Sequence, residues 1–169
     1  TAARVLFPLG TSKILLHARN LSTAKAAAVA LMPWITVLVT NDSLATSTDA
    51  SDNCQDGASG TALTLNSLDT LANGDFILVG AHVPLRGLQV DVTNVNGEAS
   101  VMTVKYWNGS AFADISDTDG TASGGATLAQ DGAITWTAPS AHTKADLRGM
   151  GLEPQGSIPH SHVPMYWYR

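Results

Sequence analysis

Residues 106–112 read Tyr106-Trp107-Asn108-Gly109-Ser110-Ala111-Phe112. An apolar strand ends in two large aromatics, turns on Asn-Gly and restarts on Phe112. Asn-Gly supplies the positive φ that a tight hairpin needs, so this stretch predicts a β-hairpin with its register set by the turn. An Asp/Gly/Thr loop over 117–121 then leads to a further strand, Ala133-Ile134-Thr135-Trp136. Alternation along 100–107 puts Met102, Val104 and Tyr106 on one apolar, core-facing side. Val101, Thr103, Lys105 and Trp107 fall on the other. Trp107 is therefore expected at the sheet rim or against a partner.

The same pattern continues on both sides of the hairpin. From Thr61 onward, strands are expected at 62–65, 76–81, 88–92, 101–107, 112–115, 133–137 and 165–168. Asn73-Gly74, Asn96-Gly97, Asn108-Gly109, Asp119-Gly120 and Asp131-Gly132 separate most of them. Short strands about ten residues apart with such turns predict an all-β fold, a jelly-roll-like antiparallel β-sandwich. Met165-Tyr166-Trp167-Tyr168-Arg169 follows a Pro/Gly-rich return and is expected to close the sheet. Three aromatics left frayed would forfeit a large burial gain.

Residues 1–60 are expected to add an N-terminal extension: an arm, a short helix, one strand and an acidic loop. The arm holds Val5-Leu6-Phe7-Pro8-Leu9, an edge strand or a segment that docks on a neighbouring subunit. Ser22 or Thr23 caps a helix over the alanine-rich 24–32, and Pro33 stops it. The β-branched run 34–40 reads as a strand buried on both faces. Residues 41–60 carry Asp42, Asp49, Asp52 and Asp56 without apolar periodicity. The division expected is 1–60 and 61–169, the latter the β-sandwich domain.

The 169-residue chain is 44% hydrophobic and only 14% charged, with a net charge of −5. That length supports a real core. A weakly charged surface suits a protein packed against many neighbours. With no Lys/Arg run there is no basic face for nucleic acid. The apolar window 24–40 contains Lys25 and Pro33 and falls short of the ~20 residues that span a bilayer, so no membrane segment is expected. No basic segment with an apolar run marks a secretory signal at the N-terminus. The single cysteine, Cys54, excludes an intrachain disulfide and reads as an incidental loop thiol.

Candidate chemistry is sparse. His160-Ser161-His162 presents two imidazoles on one side if extended, with His142, His82 or a carboxylate as a third metal ligand. The Cys/His spacing usual for zinc is absent. Asp117-Thr118-Asp119-Gly120 resembles the start of a calcium loop but lacks the downstream bidentate Glu, and an Asp/Gly turn is the simpler reading. No Gly-x-Ser-x-Gly elbow precedes a helix, and Glu98 and Glu153 sit beside turn residues. No catalytic, metal or cofactor residue is therefore assigned, and no enzyme activity is expected. Trp34, Trp107, Trp136 and Trp167 read as core or interface anchors, or else as a sugar-stacking platform.

A series of segments carries a resemblance: 74–80, Pro84-Leu85-Arg86-Gly87-Leu88, Asn94 with Asn96-Gly97, 106–112, Asp119-Gly120-Thr121, 132–136 and Tyr166-Trp167-Tyr168-Arg169. In this order they resemble a β-sandwich domain of structural proteins in tailed-bacteriophage virions, head-decoration and tail-associated proteins. The resemblance covers about Thr61 to Arg169. Phe112 stands where the pattern has Trp, and Ala141-His142-Thr143 where it has an aromatic. The resemblance implies a virion structural protein without catalytic residues. It would be a capsid decoration (cement) protein that binds the major capsid protein and copies of itself, as a trimer. It would lie on the capsid surface after assembly in the host cytoplasm. The expected interface residues are Val5, Leu6, Phe7, Leu9, Trp107, Tyr166, Trp167 and Arg169. The alternative is a tail or baseplate component, or a carbohydrate-binding receptor-recognition module.

Overall fold

A computed structural model describes residues 35–55, 59–66, 68, 70–152 and 162–169. The expected arm and the helix over 24–32 lie outside the described residues. Among the described residues nine strands form: β1 (Ile35–Asn41), β2 (Thr48–Asp49), β3 (Asp75–Ala81), β4 (Gly87–Val90), β5 (Lys105–Trp107), β6 (Phe112–Asp114), β7 (Asp117–Asp119), β8 (Gly132–Trp136) and β9 (Tyr166–Tyr168). They build an antiparallel sandwich of a six-stranded sheet, β2-β1-β3-β9-β5-β6, and a three-stranded sheet, β4-β8-β7. The expected all-β antiparallel sandwich is present. The six-to-three division differs from the paired Greek keys of an eight-stranded jelly roll. Among the described residues, no helix is long and apolar enough to cross a membrane.

Alternation along the strands builds two cores. Ile77, Val79 and Ala81 of β3 and Tyr166 and Tyr168 of β9 face the smaller sheet. There they meet Leu88, Val90, Ile134 and Trp136. On the far face, Leu38 of β1, Phe76 and Leu78 of β3, Trp107 of β5, Phe112 of β6 and Trp167 of β9 form a second cluster with Met165. Leu147, Met150, Leu152 and Val163 pack on that cluster. Each large side chain so removed from water contributes about 1.5–3 kcal/mol before entropy is counted. Both faces of the larger sheet are thus covered by the chain itself.

The closing strand inserts between β3 and β5. Its register runs Val79↔Tyr168, Gly80↔Trp167 and Ala81↔Tyr166 on one side, with Tyr106↔Tyr168 on the other. Gly80 makes this possible. A Cβ there would lie 2.7 Å from the Trp167 ring, so only glycine lets the indole lie across β3.

The hairpin β5–β6 forms as its turn predicts. Asn108 N–H donates to the Ala111 carbonyl, and Asn108 Oδ1 accepts bonds from Ser110 N, Ala111 N and Ser110 Oγ. Gly109 supplies the left-handed conformation, with φ of 103°.

Several expectations change. The segment 62–65 forms no strand with a partner among the described residues. The strand expected over 101–107 begins only at Lys105. Upstream, Ser100 bonds with Gly125 and Thr127, which holds the chain against the 121–128 loop, and Val101 is 91% exposed. The Asp117–Asp119 stretch is a strand, β7, paired to β8 from Asp117↔Trp136 to Asp119↔Ile134. As an edge strand it keeps its carboxylates near water. The boundary expected at 60/61 moves, because β1 pairs with β3 from Ile35↔Ala81 to Asn41↔Asp75 and belongs to the sandwich. The compact unit runs from Ile35 to Arg169.

Candidate functional site

The proposed interface residues divide sharply. Val5, Leu6, Phe7 and Leu9 lie outside the described residues. Trp107 is only 7% exposed and meets Phe112 edge-on, with ring centroids 5.4 Å apart. Trp167 is fully buried and its indole N–H donates to the Ala145 carbonyl at 2.7 Å. Neither tryptophan is available to a partner, so the assignment of Trp107 and Trp167 to an interface is corrected. Alternation correctly separates Tyr106 from Trp107. However, the outward face is not solvent, because 144–152 folds over it. Trp136 is also buried, with its N–H on the Leu85 carbonyl. A sugar platform built on Trp107 and Trp136 is thereby removed. Tyr166 and Arg169 remain half-exposed.

Arg169 continues β9 and bonds reciprocally with the Lys105 backbone. Its guanidinium lies 5.3 Å from the Phe76 ring centre and 5.0 Å from that of Phe112. Such seating attracts the cation to the electron-rich faces of both rings.

The densest polar constellation is one that sequence reading missed. His142 is surrounded by Tyr106, Tyr166 and Tyr168, with ring centroids 5.5, 4.8 and 4.7 Å away. Nε2 faces the Trp167 carbonyl at 3.4 Å and Nδ1 faces the Tyr168 hydroxyl at 3.3 Å. That hydroxyl accepts the Leu85 N–H at 2.7 Å and also lies 3.1 Å from the Leu85 carbonyl. Lys144 Nζ sits over the Tyr166 ring, 5.1 Å from its centre. Burial lowers the His142 pKa below 6.5, and burial raises that of Tyr168 above 10.0. Both groups are therefore neutral at pH 7. The imidazole here does an aromatic's packing work.

The metal readings find no support in geometry. His142 has both nitrogens engaged within the tyrosine cage, His160 lies outside the described residues, and His162 is exposed. Among the described residues no three His, Cys, Asp or Glu side chains cluster. Asp119 is consumed by its own loop. Thr121 N and Thr121 Oγ1 donate to one oxygen and Thr127 Oγ1 to the other. Burial opposes its charge, but these bonds outweigh that and lower its pKa. Asp117 accepts a long bond from Val104 N. The stretch is an edge strand leading into a turn that Asp119 closes with its own carboxylate. Cys54 is exposed.

One open groove of about 540 Å³ lies where β6 leaves the sheet. Tyr106, Asp114, Ile115, Ser116, Thr137 and Ser140 contribute to it, with Ala138 and Pro139. It offers one aromatic ring, one carboxylate and three hydroxyls.

Comparison with protein-family models, with curated proteins and with solved structures finds no match for this chain.

Proposed function

We propose that this chain is a structural protein of a tailed-phage virion, a capsid decoration (cement) protein. In this reading it binds the major capsid protein and copies of itself, as a trimer on the capsid surface, and it stabilises the head lattice by binding rather than by catalysis. The resemblance over 61–169 supports the reading. The observation that carries it is the double covering of the six-stranded sheet. Both faces are closed by the chain's own side chains, so binding capacity is left to edges and loops. A rigid body gripped at its rim suits a lattice clamp. Val95 and Val101, 67% and 91% exposed on the connection into β5, are apolar contacts that such a rim offers. They take the place of the buried tryptophans. Cross-linking mass spectrometry on assembled particles tests this. Links from the 91–104 connection to the major capsid protein are expected. Finding the chain only in the tail, or without a capsid neighbour, overturns it.

The groove favours a second reading, a carbohydrate-recognition module. Tyr106 would stack on a sugar ring while Asp114, Ser116, Thr137 and Ser140 bond to its hydroxyls. Glycan-array binding lost in Asp114→Ala supports it. The absence of any array signal removes it.

A further inference from the structure

The two edges of the six-stranded sheet are treated differently. At one end the two-residue β2 is outermost and covers only Leu38 and Val39 of β1, and the rest of the β1 backbone is capped by the segment that follows β2. Gln55 bonds both the N–H and the carbonyl of Ile35, at 3.0 and 2.8 Å. Ser51 Oγ accepts the Val37 N–H at 3.0 Å, and Ala50 N donates to the Val37 carbonyl. At the other side, β6 has no such cover. Asn108 bonds Ala111 and Ile115 bonds Val104. Alternation in an antiparallel pair then turns the N–H and C=O groups of Phe112 and Asp114 outward. They find no partner among the described residues. An open edge of this kind is a template for another strand.

The side chains beside this edge select the strand. Phe112, Asp114, Lys105 and Arg169 lie on one face of the sheet. Arg169 is stacked on Phe112 and, among the described residues, has no carboxylate within ion-pair distance, while exposed Asp114 is paired with Lys105. Place a two-fold axis at Ala113 and run a second β6 antiparallel to the first. Phe112 then stands opposite Asp114 of the second copy, and the outward backbone groups of each match the other in four hydrogen bonds. The second copy's carboxylate arrives beside the Arg169 guanidinium, and symmetry repeats the contact.

We infer that β6 is a self-pairing edge: two copies of this chain join through Phe112–Asp114 about a two-fold at Ala113, with Asp114 of each facing Arg169 of the other. This two-fold contact is distinct from the trimer contact of the virion reading and needs only a second copy and no capsid, so it stands or falls apart from that reading.

The register makes the test specific. Ala113 would face its own copy as a non-hydrogen-bonded pair, with Cα atoms about 4.5 Å apart, inside the disulfide range. In the full chain carrying Cys54→Ser, Ala113→Cys should form a disulfide-linked dimer under copper-phenanthroline. Val101→Cys, more exposed than Ala113 but away from the axis, should stay monomeric on a non-reducing gel. Tryptophan fluorescence verifies that both variants are folded. Light scattering on the unmodified chain should show mass doubling with concentration. Arg169→Glu should raise the dissociation constant roughly tenfold, because symmetry applies each change twice. No cross-link from folded Ala113→Cys, or equal cross-linking from Val101→Cys, overturns the inference. So does an association unchanged by Arg169→Glu.

Discussion

Replacing Gly80 by alanine probes the joint between β9 and the rest of the sheet. The added Cβ would lie 2.7, 2.8 and 2.9 Å from three carbons of the Trp167 ring. Comfortable carbon–carbon contact is about 3.5–4.0 Å, so the overlap approaches 1 Å. Neither side yields easily. Gly80 pairs with Thr36 on one flank and Trp167 on the other, and Trp167 is fully buried and bonded to Ala145. Overpacking of this kind costs about 1–3 kcal/mol. Against it, alanine restricts the unfolded chain and returns about 0.4–1 kcal/mol. The net expectation is a loss of roughly 1–2 kcal/mol and a fall in Tm of roughly 5 °C. Urea unfolding followed by tryptophan fluorescence measures the loss. The diagnostic arm is Gly80→Ala combined with Trp167→Phe, which removes the obstructing ring. Trp167→Phe alone leaves the Ala145 carbonyl unbonded and opens a cavity, yet the pair should cost clearly less than the sum of the singles. A Gly80→Ala protein as stable as its parent, or strict additivity in the double variant, would refute the packing argument.

Three further outcomes are expected. Tyr168→Phe strips the acceptor from the buried Leu85 N–H and should cost about 1–3 kcal/mol in the same urea titration; a neutral result would mean that water reaches Leu85. Asn108→Ala removes the acceptor of three turn hydrogen bonds and should cost about 1 kcal/mol, with faster amide exchange in β6; unchanged exchange would show that Gly109 alone sets the turn. His142 binds a proton more readily unfolded, near 6.5, than folded, where burial lowers its pKa. Its neutral packing therefore contributes fully above that range, and stability declines as pH falls below about 6.5, levelling once the folded-state pKa is passed. His142→Phe should flatten this slope, and an identical slope in the variant would assign the effect elsewhere.

Legibility followed the range of the interactions. The β5–β6 hairpin depends on Asn108 and Gly109 and on alternation within a few residues, and it was readable. So were β1, β3 and β9, whose β-branched and aromatic runs need burial wherever they land. The fate of Trp107 was not readable, because it depends on Leu147, Met150 and Leu152 folding over the far face. Those residues sit in a stretch whose lysine, aspartate and arginine look like surface. β7 was hidden because aspartates disfavour strands. It forms at an edge, where Thr121 and Thr127 satisfy Asp119 within the turn that follows. His142 was visible as a possible third metal ligand, not as the centre of a tyrosine cluster. The three tyrosines around it come from β5 and β9, a pairing the local sequence does not announce.

The central place of β9 also dictates an order of folding. The β1–β3 ladder and the β5–β6 hairpin close through connections upstream of β9, but nothing joins them laterally until Tyr166–Tyr168 enters between them. Until then β3 and β5 each present a bare inner edge, and each core lacks a major aromatic, Trp167 or Tyr168. Such long-range closure is slow. The interval before it is when this protein is most exposed to pairing with the wrong strand, and a chaperone or a rapid partner would act most usefully there.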